Sequence, residues 1–134
     1  MLWTGLSKYS NLGLLIIRVG LGVAFVLHGM GMFKGGEETL RNVGAAMANF
    51  GIPGGYYAFG VMAGLTQMIG GLLLVLGAFF RPACLMLLWV MTVALIMHLR
   101  HGDSFMVYSH AMEAWTVFLG LLLIGPGKIS VDGK

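Results

Sequence analysis

Arg18, His28, Gln67, His98, His110 and Glu113 each stand inside an otherwise apolar stretch of this sequence, with His101 and Asp103 just beyond. Imidazoles exchange protons near neutral pH and a carboxylate can accept one or fix a tautomer, so these residue types suit proton-coupled chemistry. His110 and Glu113 are three residues apart and therefore share one face of a helix. The reactant that matches a proton-exchanging set in an apolar setting is a lipid-soluble quinone, whose carbonyls need hydrogen-bond donors and whose reduction consumes protons. In that reading His28, His98, His110 and Glu113 are the candidate catalytic residues. Gln67 and Trp115 are the candidates for substrate contact, and Arg18 and Arg81 are structural. Histidines near the ends of membrane helices also serve as interfacial anchors, which is the plainer interpretation of each taken alone.

The same residues permit a metal site. His28, His98, His101 and His110 are the candidate ligands, and Met30, Met97, Met106 and Met112 lie close to them in sequence. Imidazole with thioether suits Cu(I), and histidines on opposed helices could hold haem. No ligand spacing is diagnostic, and the 11 methionines of so apolar a chain are expected mainly as packing residues.

The elements that must position these groups follow from composition. The 134 residues are 58% hydrophobic and 10% charged, and the mean hydropathy is +0.90. A soluble domain of this length buries too small a fraction of its surface to hide that much apolar area. The lipid bilayer must therefore be part of the solvent. The formal net charge of +3 comes from scattered lysines and arginines without runs or interleaved aromatics, which gives no nucleic-acid footprint. Cys84 is the sole cysteine, so neither an intramolecular disulfide nor a zinc-ligand pair is available.

A spanning helix needs about 20 apolar residues. Four segments meet or approach this, at about 12–33, 56–79, 82–99 and 108–125, and they predict an all-α membrane protein: a four-transmembrane-helix bundle forming one domain over 1–134. The first segment is too long for a signal-peptide core and carries Arg18, so it is expected to remain in the mature protein. Between the first two spans, Leu40, Val43, Met47 and Phe50 recur at steps of three and four, while Glu37, Glu38, Arg41, Asn42 and Asn49 take other faces. This spacing predicts a short amphipathic interfacial helix over about 37–50, lying on the bilayer surface and stopped by Gly51 and Pro53.

Lys8, Arg81, Lys128 and Lys134 on the side of the termini outnumber Lys34, Arg41 and Arg100 opposite, and this predicts cytoplasmic N and C termini. Helix rise then puts His28 and Glu113 roughly 7 Å inside the outer end, with His98 and His110 nearer to it. Gln67 and Arg18 lie roughly 16 and 22 Å from that face. A charge at mid-bilayer costs at least ~2.5 to 3.5 kcal/mol on insertion scales, so Glu113 is expected to turn into the bundle toward His28 or His98. Gly60-x-x-x-Gly64 fits a close helix contact, with Gly20, Gly22, Gly70 and Gly71 adding narrow surfaces.

Specific runs carry a family resemblance. Arg18 to Lys34 (RVGLGVAFVLHGMGMFK), Gly64 to Pro82 (GLTQMIGGLLLVLGAFFRP) and the ending Gly125 to Asp132 (GPGKISVD) resemble the signature segments of the DoxX family of small bacterial four-helix membrane proteins. The resemblance implies a multi-pass protein of the bacterial inner membrane, with relatives associated with quinone-linked thiosulfate oxidation, redox stress or aromatic hydroquinones. Relatives often carry Glu where this chain has Gln67, which removes a titratable group from mid-membrane.

These readings converge on an integral membrane subunit of a quinone-linked oxidoreductase. With no nucleotide fingerprint, no cysteine pair and little extramembrane mass, the electron donor site is assigned to a second protein subunit. The alternatives are a non-catalytic membrane anchor or assembly partner, and a haem- or copper-binding electron-transfer subunit. A small transporter is disfavoured by the lack of an internal repeat, unless a homo-oligomer supplies the missing half.

Overall fold

The computed structural model describes residues 3–133. Lys134, counted above toward orientation, lies outside them. Helix α1 covers Ser10–Lys34 and is preceded by a 3-10 segment, Thr4–Tyr9. Helix α2 covers Gly36–Gly44 and continues as a second 3-10 segment, Ala45–Phe50. Helices α3 (Tyr56–Leu76), α4 (Phe80–His101) and α5 (Phe105–Ile124) complete the order. Among the described residues α1, α3, α4 and α5 are long and apolar enough to cross a membrane.

The spans end where backbone chemistry ends them. Helix α3 stops at Leu76 because Gly77 takes the left-handed conformation at φ 64°, three residues before the apolar run itself ends. Helix α4 begins at Phe80, ahead of Pro82, since a proline in the first turn removes only an amide that has no intrahelical partner. Gly51, at φ 77°, closes the 3-10 segment as the sequence expects.

Helices α1 and α3 pack backbone to backbone. A Cβ at Gly22 or at Gly71 would collide with the other residue's carbonyl oxygen, and one at Gly29 would strike the carbonyl of Gly64. Gly60 serves a different partner: it and Gly44 leave room for the backbones of α2 and α3 to touch, at Leu40 and Tyr56 respectively. Thus α2 buries its apolar face, including Leu40 and Gly44, against α3 and not against lipid alone. Gly20 has open space around it and takes no part in packing. The buried core runs between the spans through Phe25, Leu74, Phe80, Leu87, Ala111 and Phe118.

At the end of the molecule that holds both termini, Arg18 is 1% exposed and donates to four backbone carbonyls. Two of these, Leu74 and Val75, are among the carbonyls that the last turn of α3 leaves without an intrahelical partner. The others, Pro126 and Ile129, belong to the C-terminal segment. That segment also pairs Val131 and Asp132 N–H groups with Leu76 and Gly77 carbonyls, while the Asp132 carboxylate accepts the amides of Phe79 and Phe80 at the start of α4. A carboxylate there meets the positive end of the helix dipole. Arg81 reaches across to the Leu122 carbonyl of α5.

Candidate functional site

Where α3 and α4 face the α2 segment, the helices border a half-open cavity of about 540 Å³. Its walls are mainly apolar, with Phe59, Met62, Trp89, Met91 and Met97 among them. Four polar side chains also line it: Thr39 and Asn42 from α2, Thr66 and Gln67 from α3. The 3-10 segment extends toward α4, where the Phe50 ring lies 6.0 Å from that of Trp89. A largely apolar pocket of several hundred Å³ with a few placed polar groups is the usual form of a small-molecule site.

Gln67 is 7% exposed, and its amide nitrogen donates to the Met32 sulfur of α1 at 3.3 Å. A primary amide has two N–H donors and one carbonyl, so this bond leaves one donor and an acceptor for a ligand. The other substrate candidate, Trp115, does not line the cavity. Its indole N–H donates to Thr92 Oγ1 at 3.0 Å, and Thr92 donates to the Leu88 carbonyl, which braces α5 against α4.

The histidines gather in part. The rings of His98 and His110 meet edge to face with centroids 6.2 Å apart. His98 Nδ1 lies 2.7 Å from the Asp103 carboxylate, across the turn that Gly102 makes at φ 72°. An ionised Asp103 holds the proton on Nδ1 and leaves Nε2 as the acceptor. His98 follows the cavity residue Met97 but turns about 100° from it on α4, and none of His28, His98, His110 and Glu113 lines the cavity. His28 is exposed and stacks on Phe25, one turn earlier in α1, at 6.0 Å. His101 is exposed at the end of α4.

Glu113 differs from the inward orientation expected of it. It is exposed, on the side of α5 away from the buried Ala111 and Phe118, and among the described residues it has neither hydrogen bond nor ion pair. The reason lies in the helix period: 100° per residue places 113 opposite 111 and well away from 118. Among the described residues, no three His, Cys, Asp or Glu side chains converge as metal ligands.

Thr39, Asn42 and Trp89 were not singled out as site residues from sequence, and Asp103 stood out only as a polar residue just beyond the third span, not as the partner of His98. Asp103 follows His98 across a Gly turn, and Thr39 and Asn42 are three apart on one face of α2. Trp89 carried no signal beyond its aromatic ring.

Compared with known proteins, residues 13–100 match the family model described as DoxX. No curated protein and no solved structure matches the chain significantly.

Proposed function

The chain belongs to the DoxX family, and from that membership we propose that it is the membrane subunit of a quinone-linked oxidoreductase whose quinone ring occupies the cavity between α2, α3 and α4. The observation that carries this reading is the cavity itself: about 540 Å³, walled by methionines, Phe59 and Trp89, with the Gln67 amide at its polar side. Thioethers and aromatic faces suit a flat apolar ring. Gln67, Thr66 and Asn42 supply hydrogen bonds for its oxygens, whereas the Thr39 hydroxyl is donated to the Gly35 carbonyl.

Reduction of a quinone to the quinol takes two electrons and two protons. The electrons come from a donor site on a second subunit. Because Gln67 does not titrate, protons reach the ring from elsewhere, and the pair of His98, held by Asp103, and His110 is the proton-exchanging candidate in this reading, outside the cavity lining and therefore acting through intervening water. Glu113, which faces away, has no part in it.

The test uses purified protein in lipid nanodiscs. Organic extraction should recover quinone, and a soluble quinone analogue should bind. Ala94 lines the cavity from α4; Ala94→Phe should fill it and weaken analogue binding at least tenfold with unchanged helical content. Unaltered affinity would remove the cavity from the reading, and absence of any quinone binding would leave a non-catalytic anchor.

Both termini are assigned to the cytoplasm of a bacterial cell, so a reporter inserted at Gly102 should be external and one fused at the C terminus internal. A cytoplasmic reporter at Gly102 would put the His98–His110 pair on the other side of the membrane.

A further inference from the structure

The Gln67 amide is oriented before any ligand arrives. Its Nε2 lies 3.3 Å from the Met32 sulfur of α1, and a thioether carries lone pairs but no hydrogen to donate, so only the nitrogen end of the amide can bond there. Met32 stands outside the cavity lining, so this bond turns the nitrogen toward α1 and leaves the carbonyl oxygen on the other flank. Among the described residues that oxygen accepts no hydrogen bond, yet no buried side-chain oxygen lacks a partner. It is therefore reached from open space, and the open space beside Gln67 is the cavity. Thr66 adds a second free group. The hydroxyls of Thr39, Thr92 and Thr116 each donate to the carbonyl four residues back in the chain, whereas that of Thr66 makes no such bond and lines the cavity.

These groups do not treat the two redox states of a quinone alike. The oxidised ring presents two carbonyl oxygens, which only accept; the quinol, formed by adding two electrons and two protons, presents two hydroxyls, which also donate. Thr66, Asn42 and the second N–H of Gln67 can donate to either form. The Gln67 carbonyl can bond only to a hydroxyl, and against a quinone oxygen it sets lone pair facing lone pair. We propose that Gln67, held by Met32, makes the cavity select the reduced ring: Gln67 determines the specificity and Met32 is its positioning residue. The preference rests on the quinone reading and gives that site a direction, since tighter binding of the quinol favours reduction of the bound ring. A hydrogen bond made in one state, with its acceptor left unpaired in the other, is worth about tenfold in affinity, and for a two-electron couple this raises the midpoint potential of the bound pair by about 30 mV.

The test measures equilibrium binding of one short-tailed benzoquinone to the full chain in lipid nanodiscs, once oxidised and once kept reduced by dithionite without oxygen. The reduced form should bind about tenfold more tightly. Met32→Leu conserves volume and lies outside the cavity but removes the sulfur, so the Gln67 amide is free to turn its nitrogen inward. The ratio should then fall to about twofold or less, chiefly because the oxidised ring binds better. Gln67→Met, which removes donor and acceptor together, should abolish the preference by weakening the quinol. Equal affinities in the parent chain, or an unchanged ratio in Met32→Leu, overturn the proposal while leaving the quinone site standing. Binding of neither form removes the quinone reading and the preference with it. Should Gln67→Met fail to fold, the ratio in Met32→Leu still decides the question.

Discussion

Arg18→Ala should remove most of the folded protein, and Arg18→Lys should recover little of it. The guanidinium is buried and serves Leu74, Val75, Pro126 and Ile129 carbonyls simultaneously, from a fixed planar fork with five N–H donors. Alanine withdraws the Arg18 donor from all four, leaving the Leu74 carbonyl only its bond from the Gly77 N–H, and each buried acceptor left without a partner costs ~1–3 kcal/mol. The summed loss, on the order of 3 kcal/mol or more, is a large share of ordinary domain stability. Lysine brings one point charge with three donors and cannot reach both sides of the fork. The measurement is the yield of monodisperse protein and its melting temperature in detergent. Whatever fraction does fold should bind a quinone analogue normally, because the α3 carbonyls held by Arg18 begin seven residues, roughly 10 Å, beyond Gln67, the deepest cavity residue on that helix. Normal yield with lost binding would instead place Arg18 in the site.

That arrangement also shows where sequence reading stops. The four spans were legible because lipid demands long apolar runs, and α2 was legible because Leu40, Val43 and Met47 repeat at helical steps. Arg18 stood out as a buried charge, but its partners did not. They are backbone carbonyls, two at the end of α3 and two in a C-terminal segment some 110 positions away, and a carbonyl leaves no mark on residue type. Gly22 and Gly71 were readable as narrow surfaces; that Gly60 faces α2 while Gly64 faces Gly29 and Phe33 was not.

The candidate site was less legible than the fold. Gln67 was found because an amide is conspicuous at mid-membrane. The cavity around it is built from methionines, alanines and Trp89, residues that elsewhere simply fill cores. Glu113 illustrates the opposite difficulty. Its depth announced the cost, but on a helix that is apolar all round, hydrophobic periodicity does not mark the inward face. Only the side chains that pack, Ala111, Trp115 and Phe118, reveal which way the helix turns.

Gly60→Ala should separate the cavity from the fold that carries it. A methyl at this position would overlap the Leu40 carbonyl and backbone carbon of α2, and a backbone cannot rotate aside as a side chain can. The four spans do not depend on this contact, since α1 and α3 are held together by Gly22, Gly71, Gly29 and Gly64. The least costly response is therefore for α2 to lift off α3, carrying Thr39, Asn42 and Met47 out of the cavity wall. Overpacking of this kind typically costs ~1–3 kcal/mol, less than the loss expected at Arg18. Affinity for a quinone analogue should fall more than tenfold while the melting temperature falls only a few degrees. A cysteine at Met47, half-buried in the parent chain, should become several times faster to label with a maleimide. Gly20→Ala, where the new methyl meets open space, is the matched control and should change neither quantity. If Gly60→Ala left both binding and labelling as they were, α2 would not be docked on α3 in the membrane, and the cavity would lose the wall on which its assignment rests.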